Sequence, residues 1–216
     1  MTNYIIITPA RCGSSWLSSG LEKMYKLNYL DYTNNTVRLK TSTDNLDALD
    51  NEEKIVYFKK QLPFLIKLYV DDMPKSCITY GCTDTQFIWI YRKNLAEHFL
   101  SFYFAQKSGV WARIASEQMQ AHSFNYNTQD IEFAPTEKDK NFYINIFNKQ
   151  KEVYAQYKTL FQTHPNVEIA YEDLFKNNPW GITGDIATEL TGQKKLNTYT
   201  VNQIEWAKNF IDSISE

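Results

Sequence analysis

The chain has 216 residues, 43% of them hydrophobic and 22% charged, with a formal net charge of −2. That length suits a single domain over 1–216 with a sizeable core. Seven Gly, six Pro and a rich aromatic content (15 Tyr, 13 Phe, 5 Trp) exclude collagen-like, low-complexity and disordered chains. Lys and Arg do not outnumber Asp and Glu (23 against 25), which removes the electrostatic case for a dedicated nucleic-acid binder.

The first strand is expected over Tyr4–Thr8 (YIIIT), a β-branched run suited to a parallel sheet buried on both faces. A Gly-containing loop, Pro9 to Gly13, leads to Ser14 and Ser15 as candidate caps. Trp16, Leu17, Leu21 and Met24 then recur at helical spacing, giving a helix from about Ser15 to Lys26. Residues 32–54 are polar and read as loop with a short acidic helix. Phe64–Val70 (FLIKLYV) and Gln86–Tyr91 (QFIWIY) read as the second and third strands. A helix over Asn94–Gln106 has Asn94 as cap and Leu95, Phe99, Phe102 and Tyr103 on one face. A long helix from about Lys138 to Phe161 carries Phe142, Ile146, Val153, Tyr157 and Leu160 as its stripe. Val167–Ala170 is a fourth strand and Asn202–Ile214 a terminal helix. Strands alternating with helices imply an α/β fold, a mainly parallel sheet between helical layers.

The three cysteines, Cys12, Cys77 and Cys82, are too few for a disulfide framework and lack partners at zinc spacing, so reduced thiols and no metal site are expected. Tyr4–Ile7 is too short for a secretory leader, and no run approaches the ~20 apolar residues of a membrane span. A cytoplasmic protein with no membrane or nucleic-acid partner is the expectation.

Chemistry concentrates in Thr8-Pro9-Ala10-Arg11-Cys12-Gly13-Ser14-Ser15-Trp16. A short loop from a buried strand into a helix N-terminus aims several N–H groups at one point, where the helix dipole favours anions. Gly13 allows close backbone approach, the Ser hydroxyls add donors, and Arg11 adds a charged fork. Such a loop suits a phosphate or sulfate, although an ordinary βα turn with a surface Arg has the same outline. It lacks the Gly-Lys-Ser/Thr ending of a Walker A loop and the GxGxxG of a dinucleotide fold, which counts against a kinase and a dehydrogenase.

Strand-TPxRCGSSWL-helix resembles the 5′-phosphosulfate loop of the sulfotransferases, whose motif reads roughly PKSGTTWL or PRSGST. Arg11 matches the basic position, Gly13 the glycine, Ser14 and Ser15 the hydroxyl pair and Trp16 the aromatic. Cys12 replaces the usual Ser, and Ala10 separates the Pro from the basic residue. A second block, Tyr91-Arg92-Lys93-Asn94 through Ser101, resembles the family's 3′-phosphate motif, an Arg at a strand end with a Ser eight residues on. Here Ser101 lies nine residues after Arg92 and eight after Lys93, so both basic residues stay in play. Val167–Leu174 (VEIAYEDL) is similar to the family's strand-YEDL segment, and Lys67 matches a strand Lys that contacts the transferred group. A Lys inside an apolar strand is unusual in its own right, because a buried ammonium needs a partner.

The resemblance implies a P-loop-like fold. It also implies metal-independent transfer of a sulfuryl group from 3′-phosphoadenosine-5′-phosphosulfate (PAPS) to a hydroxyl or amine on a small-molecule or carbohydrate acceptor, leaving 3′,5′-ADP (PAP). Arg11, Lys67 and the loop N–H groups would then stabilise charge on the leaving oxygen. Arg11, Cys12, Gly13, Ser14, Ser15, Trp16, Arg92, Lys93 and Ser101 would bind the donor. The base is less direct. The animal-type His, two residues after the strand Lys, is Tyr69 here, and Asp31, after the first helix, is the candidate, with Asp71 and Asp72 as competitors. His98 reads as helix packing or a neighbour of the nucleotide. The aromatic segment Phe99–Trp111 is either an acceptor pocket or core. A non-catalytic nucleotide-binding module and a P-loop small-molecule kinase are the alternatives.

Overall fold

A computed structural model describes residues 2–33, 36–39, 63–69, 85–109, 131–162, 166–177, 180 and 199–215, the side chains of 28–33, 36–39, 159–161 and 175–177 excepted. Six strands form one sheet: β1 (Asn3–Thr8), β2 (Asn28–Thr33), β3 (Thr36–Leu39), β4 (Phe64–Tyr69), β5 (Thr85–Tyr91) and β6 (Asn166–Ala170). Their spatial order is β3-β2-β4-β1-β5-β6. The pairings β2–β4, β4–β1, β1–β5 and β5–β6 are parallel, and β3 closes one edge antiparallel to β2. The described helices are α1 (Ser14–Tyr25), α2 (Leu95–Ser108), α3 (Glu137–Phe161), α4 (Tyr171–Asn177) and α5 (Val201–Ser215). This is the expected α/β fold with a mainly parallel sheet.

β1 is central, and its burial on both faces explains the unbroken apolar run: Ile5, Ile6 and Ile7 are 3%, 0% and 0% exposed. One face packs on α1, where Tyr4, Ile6, Leu65, Ile88, Ile90 and Ile169 meet Trp16, Leu17 and Leu21. On the other face Trp89 of β5 packs against Tyr154 of α3, ring centres 5.2 Å apart and planes tilted by 46°. Helices therefore cover both sides. A second core joins α2, α3 and α5, with Phe99 at its centre: Tyr143, Trp206 and Phe210 all lie within 5.5 Å of it, ring centre to ring centre. Each such pair adds about 0.5–1.5 kcal/mol beyond area burial.

The chain leaves β1 through α1 toward β2 on one side, whereas β5 continues to β6 on the other. β1 and β5 thus flank a topological switch point, whose carboxyl-end crevice is where open α/β sheets bind ligands.

Two expectations need correction. The polar composition of 32–54 predicts loop, yet Asn28–Thr33 and Thr36–Leu39 are strands paired from Leu30↔Leu39 to Thr33↔Thr36. Asn34-Asn35 between them is turn chemistry, but the polar composition hid the hairpin. The acidic helix expected further along falls outside the described residues. On α3, Phe142 is 43% exposed, and the neighbouring Tyr143 (1%) takes the inward position with Ile146, Val153 and Tyr157; the Leu160 side chain lies outside the described residues. Most of α2 from Ala96 to Ala105 is buried all round, so its described aromatic side chains are core and not a pocket wall. Trp111, Val70, Asp71, Asp72, Cys77 and Cys82 lie outside the described residues.

Candidate functional site

The loop between β1 and α1 is held in an uncommon backbone shape. Arg11 has φ 68 and Gly13 φ 77, both in the left-handed region. Gly13, not Ser14 or Ser15, is the N-cap of α1; its carbonyl accepts the first helical bond from Leu17 N–H at 3.2 Å, and no side chain caps the helix. The first-turn N–H groups of α1 precede that bond and are directed outward from the carboxyl end of the sheet.

Gly13 is required by space as well as conformation. A Cβ there would lie 2.7 Å from Cδ2 of Tyr171 and 3.3 Å from Leu174, both on α4. Tyr171 in turn carries Arg92 on its ring, the guanidinium carbon 4.1 Å from the ring centre. One aromatic ring thus joins the loop after β1 to the end of β5. Next to it Glu172 accepts the N–H groups of Lys93 and Asn94, both at 3.1 Å, fixing the turn from β5 into α2. Asn94 caps α2 as expected, its side-chain oxygen accepting Glu97 N–H at 3.1 Å.

Two cations lie at the loop, one within it and one reaching it from β4. Arg11 Nε donates to Ser101 Oγ on α2 at 3.1 Å. Lys67, 8% exposed inside β4, directs Nζ to Ser15 Oγ at 3.4 Å and lies 5.0 Å from the Tyr69 ring centre. Arg92 and Lys93 separate clearly. The Lys93 side chain is 58% exposed and paired with Asp173 at 2.5 Å, which raises its pKa through that hydrogen bond and charge. Arg92 keeps a buried Nε with no hydrogen-bond partner among the described residues. In backbone register Asp31 of β2 stands beside Lys67 of β4, one strand spacing of about 4.8 Å away. It is a strand residue, not a turn residue.

Cys12 and Trp16 contribute less than their place in the motif suggests. Cys12 is 0% exposed and Trp16 8%, and both side chains sit in the core with Leu17 and Leu21, so what they can offer a ligand is backbone N–H. Burial pushes the Cys12 thiol up to about 12, against the pull of Arg92, which leaves it protonated and non-nucleophilic. Ser14 is 3% exposed, whereas Ser15 is half-buried beside Lys67.

His98 is the residue that motif spacing underrates. It is 2% exposed, Nε2 lies 2.8 Å from the Ala10 carbonyl oxygen, Nδ1 lies 3.0 Å from Tyr143 Oη, and Cys12 Sγ is 3.8 Å away. Burial lowers its pKa to about 4, so the ring is neutral. Among the described residues no cluster of three His, Cys, Asp or Glu side chains is arranged to hold a metal ion, and no helix is long and apolar enough to cross a membrane.

Fold and site together define an α/β protein whose β1–α1 loop, at a sheet switch point, carries Arg11 and meets the buried Lys67 of β4, with Arg92 at the end of the neighbouring β5. No family model matches the sequence, and no curated protein matches it. Among solved structures, the chain is similar in fold to mouse sulfotransferase SULT7A1 complexed with PAP. The identity is 11% over 99% of this chain and 65% of the mouse one, with a TM-score of 0.40. It is also similar to the sulfotransferase domain from the curacin biosynthetic pathway, at 13% identity over 94% of this chain and 77% of that one, with a TM-score of 0.41.

Proposed function

We propose that the protein is a sulfotransferase that moves a sulfuryl group from PAPS to a hydroxyl or amine acceptor. The observation that carries the reading is that the buried Lys67 of β4 reaches Ser15 in the first turn of α1, the helix entered from the loop that bears Arg11. Two fixed positive charges and oriented N–H groups in a partly buried cradle suit a ligand that bears charge at its reacting end.

The donor brings an activated sulfuryl group whose bond to the bridging oxygen breaks as a bond to the acceptor forms. Negative charge grows on the bridging oxygen, and Arg11 and Lys67 are the groups suited to stabilise it without reorganisation. Arg92, with its buried Nε, is the better of the two basic residues for the 3′-phosphate, since Lys93 is occupied by Asp173. Ser101, bonded to Arg11, would help hold the donor in this proposal. The acceptor's proton needs a base, and Asp31, adjacent to Lys67 in register, takes that role in this proposal. Arg11, Lys67, Arg92 and the loop amides would hold the donor with no metal.

Tyr69 supports a second reading. It occupies the place of the animal-type His base and lies beside Lys67, so a nucleotide-binding module without turnover has an observation of its own. Titration of the purified protein with 3′,5′-ADP, and with ATP and Mg²⁺, separates the readings. Preference for the bisphosphate supports a donor site of this kind, and turnover of PAPS with an acceptor panel separates enzyme from module. Preference for ATP with Mg²⁺ would point to a kinase and overturn the proposal.

A further inference from the structure

Helix α2 reaches back to the anion loop through one buried imidazole. We infer that His98 is the positioning residue that holds the β1–α1 loop in its ligand-ready shape by gripping the Ala10 carbonyl, the group immediately before the strained Arg11. The inference rests on the reading of that loop as the anion site, but not on which anion it takes.

The geometry fixes the ring's chemistry. A carbonyl oxygen only accepts, so the 2.8 Å contact to Ala10 requires a hydrogen on Nε2. Nδ1 then accepts from the Tyr143 hydroxyl at 3.0 Å, and burial holds that phenol well above its usual pKa, so it keeps its proton. Tyr143 also lies 3.4 Å from the Leu95 carbonyl, a longer contact from α3 to the first turn of α2. The result is an ordered line running from α3 through His98 to the loop. Its last bond lands on the peptide whose other end begins Arg11, with φ 68. A residue in that conformation persists only where its surroundings over-determine it. Here Ala10 is held at its carbonyl by His98, and the Arg11 side chain is held at Nε by Ser101, one helical turn further along α2. Without the His98 bond, rotation of the Ala10–Arg11 peptide frees Arg11 to relax toward φ < 0, which would carry its guanidinium away from the cradle.

Two substitutions divide the ring's functions. His98→Gln carries an amide N–H to the place of Nε2 and keeps the bond to Ala10. His98→Asn reaches only the place of Nδ1 and keeps the Tyr143 partner. Hydrogen exchange of the ligand-free proteins over residues 10–16, 3′,5′-ADP affinity by calorimetry, and melting temperature are compared. The expected pattern is wild-type-like loop protection in His98→Gln. In His98→Asn, exchange over 10–16 rises at least tenfold and 3′,5′-ADP affinity falls about tenfold, with β5 protection unchanged. Equal loop exchange in the two variants, or the reverse order, would overturn the inference and make His98 a packing residue. If wild type binds no 3′,5′-ADP, the proposed function falls while the exchange comparison still decides this point. Should neither variant fold, the ring nitrogen signals of ¹⁵N-histidine wild type at pH 7 decide it: a neutral Nε2–H ring is required, and an Nδ1–H or charged ring at His98 would overturn the assignment.

Discussion

At Arg11, φ 68 places a residue with a Cβ in the left-handed region, at a cost on the order of 1–2 kcal/mol. Arg11→Ala and Arg11→Gly are both expected to abolish sulfuryl transfer, whereas Arg11→Gly should melt no lower than Arg11→Ala because glycine relieves the strain. Calorimetric melting with a PAPS turnover assay checks this, and retained activity in either variant would remove Arg11 from the site. Gly13 is the mirror case, since both its φ of 77 and the Tyr171 ring, 2.7 Å from where a Cβ would sit, oppose any side chain. Gly13→Ala should cost about 2 kcal/mol or more in urea unfolding. Adding Tyr171→Ala should return only the steric part of that loss, and full recovery would mean that the backbone conformation costs nothing.

Strand ends and helix starts divide the labour between neighbouring residues. At the β5–α2 junction, Glu172 fixes the turn, Lys93 points to Asp173 in solvent, and Arg92 folds onto Tyr171. An exposed ion pair such as Lys93–Asp173 contributes little, so Lys93→Ala should leave nucleotide affinity nearly unchanged. Arg92→Ala should weaken 3′,5′-ADP at least tenfold more than 5′-AMP in parallel titrations, and equal losses for the two nucleotides would cancel the 3′-phosphate role. The β2–β4 pairing supports a further test, because it brings Asp31 beside Lys67. Asp31→Asn is expected to lower kcat by about 10²–10⁴-fold with donor affinity nearly unchanged, the usual contribution of a positioned base. Wild-type kcat in Asp31→Asn would move the base elsewhere, with Asp71→Asn and Asp72→Asn as the next variants to measure.

The molecule as a whole buries two titratable groups where β1, α1 and α2 meet, and they bound its stability from opposite sides. His98, lowered from 6.5 to about 4 by burial, binds fewer protons folded than unfolded, so stability is lost as pH falls from about 6.5 toward 4. At about 1.36 kcal/mol per pH unit this is worth about 3 kcal/mol. Cys12, raised from 9.0 to about 12, is the converse: the unfolded thiol ionises first, so stability is lost as pH rises from about 9 toward 12. Melting temperature measured from pH 4 to 11 should show a plateau between about 6.5 and 9. Cys12→Ser should flatten the alkaline limb, and His98→Gln the acid limb. An acid limb unchanged in His98→Gln would assign it to carboxylates instead.

Wherever a feature depends on neighbours a few residues apart, it was legible in the chain. The run Tyr4–Thr8, the Gly13 loop, the apolar spacing of α1, the Asn94 cap and the basic pair after β5 are local patterns of propensity and periodicity, and they sufficed for the α/β class and for the strand–loop–helix around Gly13. Lys67 was also legible, since a cation inside an apolar strand stands out against its surroundings. The polar hairpin β2–β3 was not, because a strand at a sheet edge is specified by its pairing partners more than by its own composition. Tertiary structure alone decided that Arg92 and not Lys93 folds onto Tyr171, that Cys12 and Trp16 turn into the core, and that Asp31 stands beside Lys67. It also brought His98 to Ala10 across 88 residues of sequence. Such pairings come from closing long loops around a sheet, and nothing in the local sequence of either partner encodes the other.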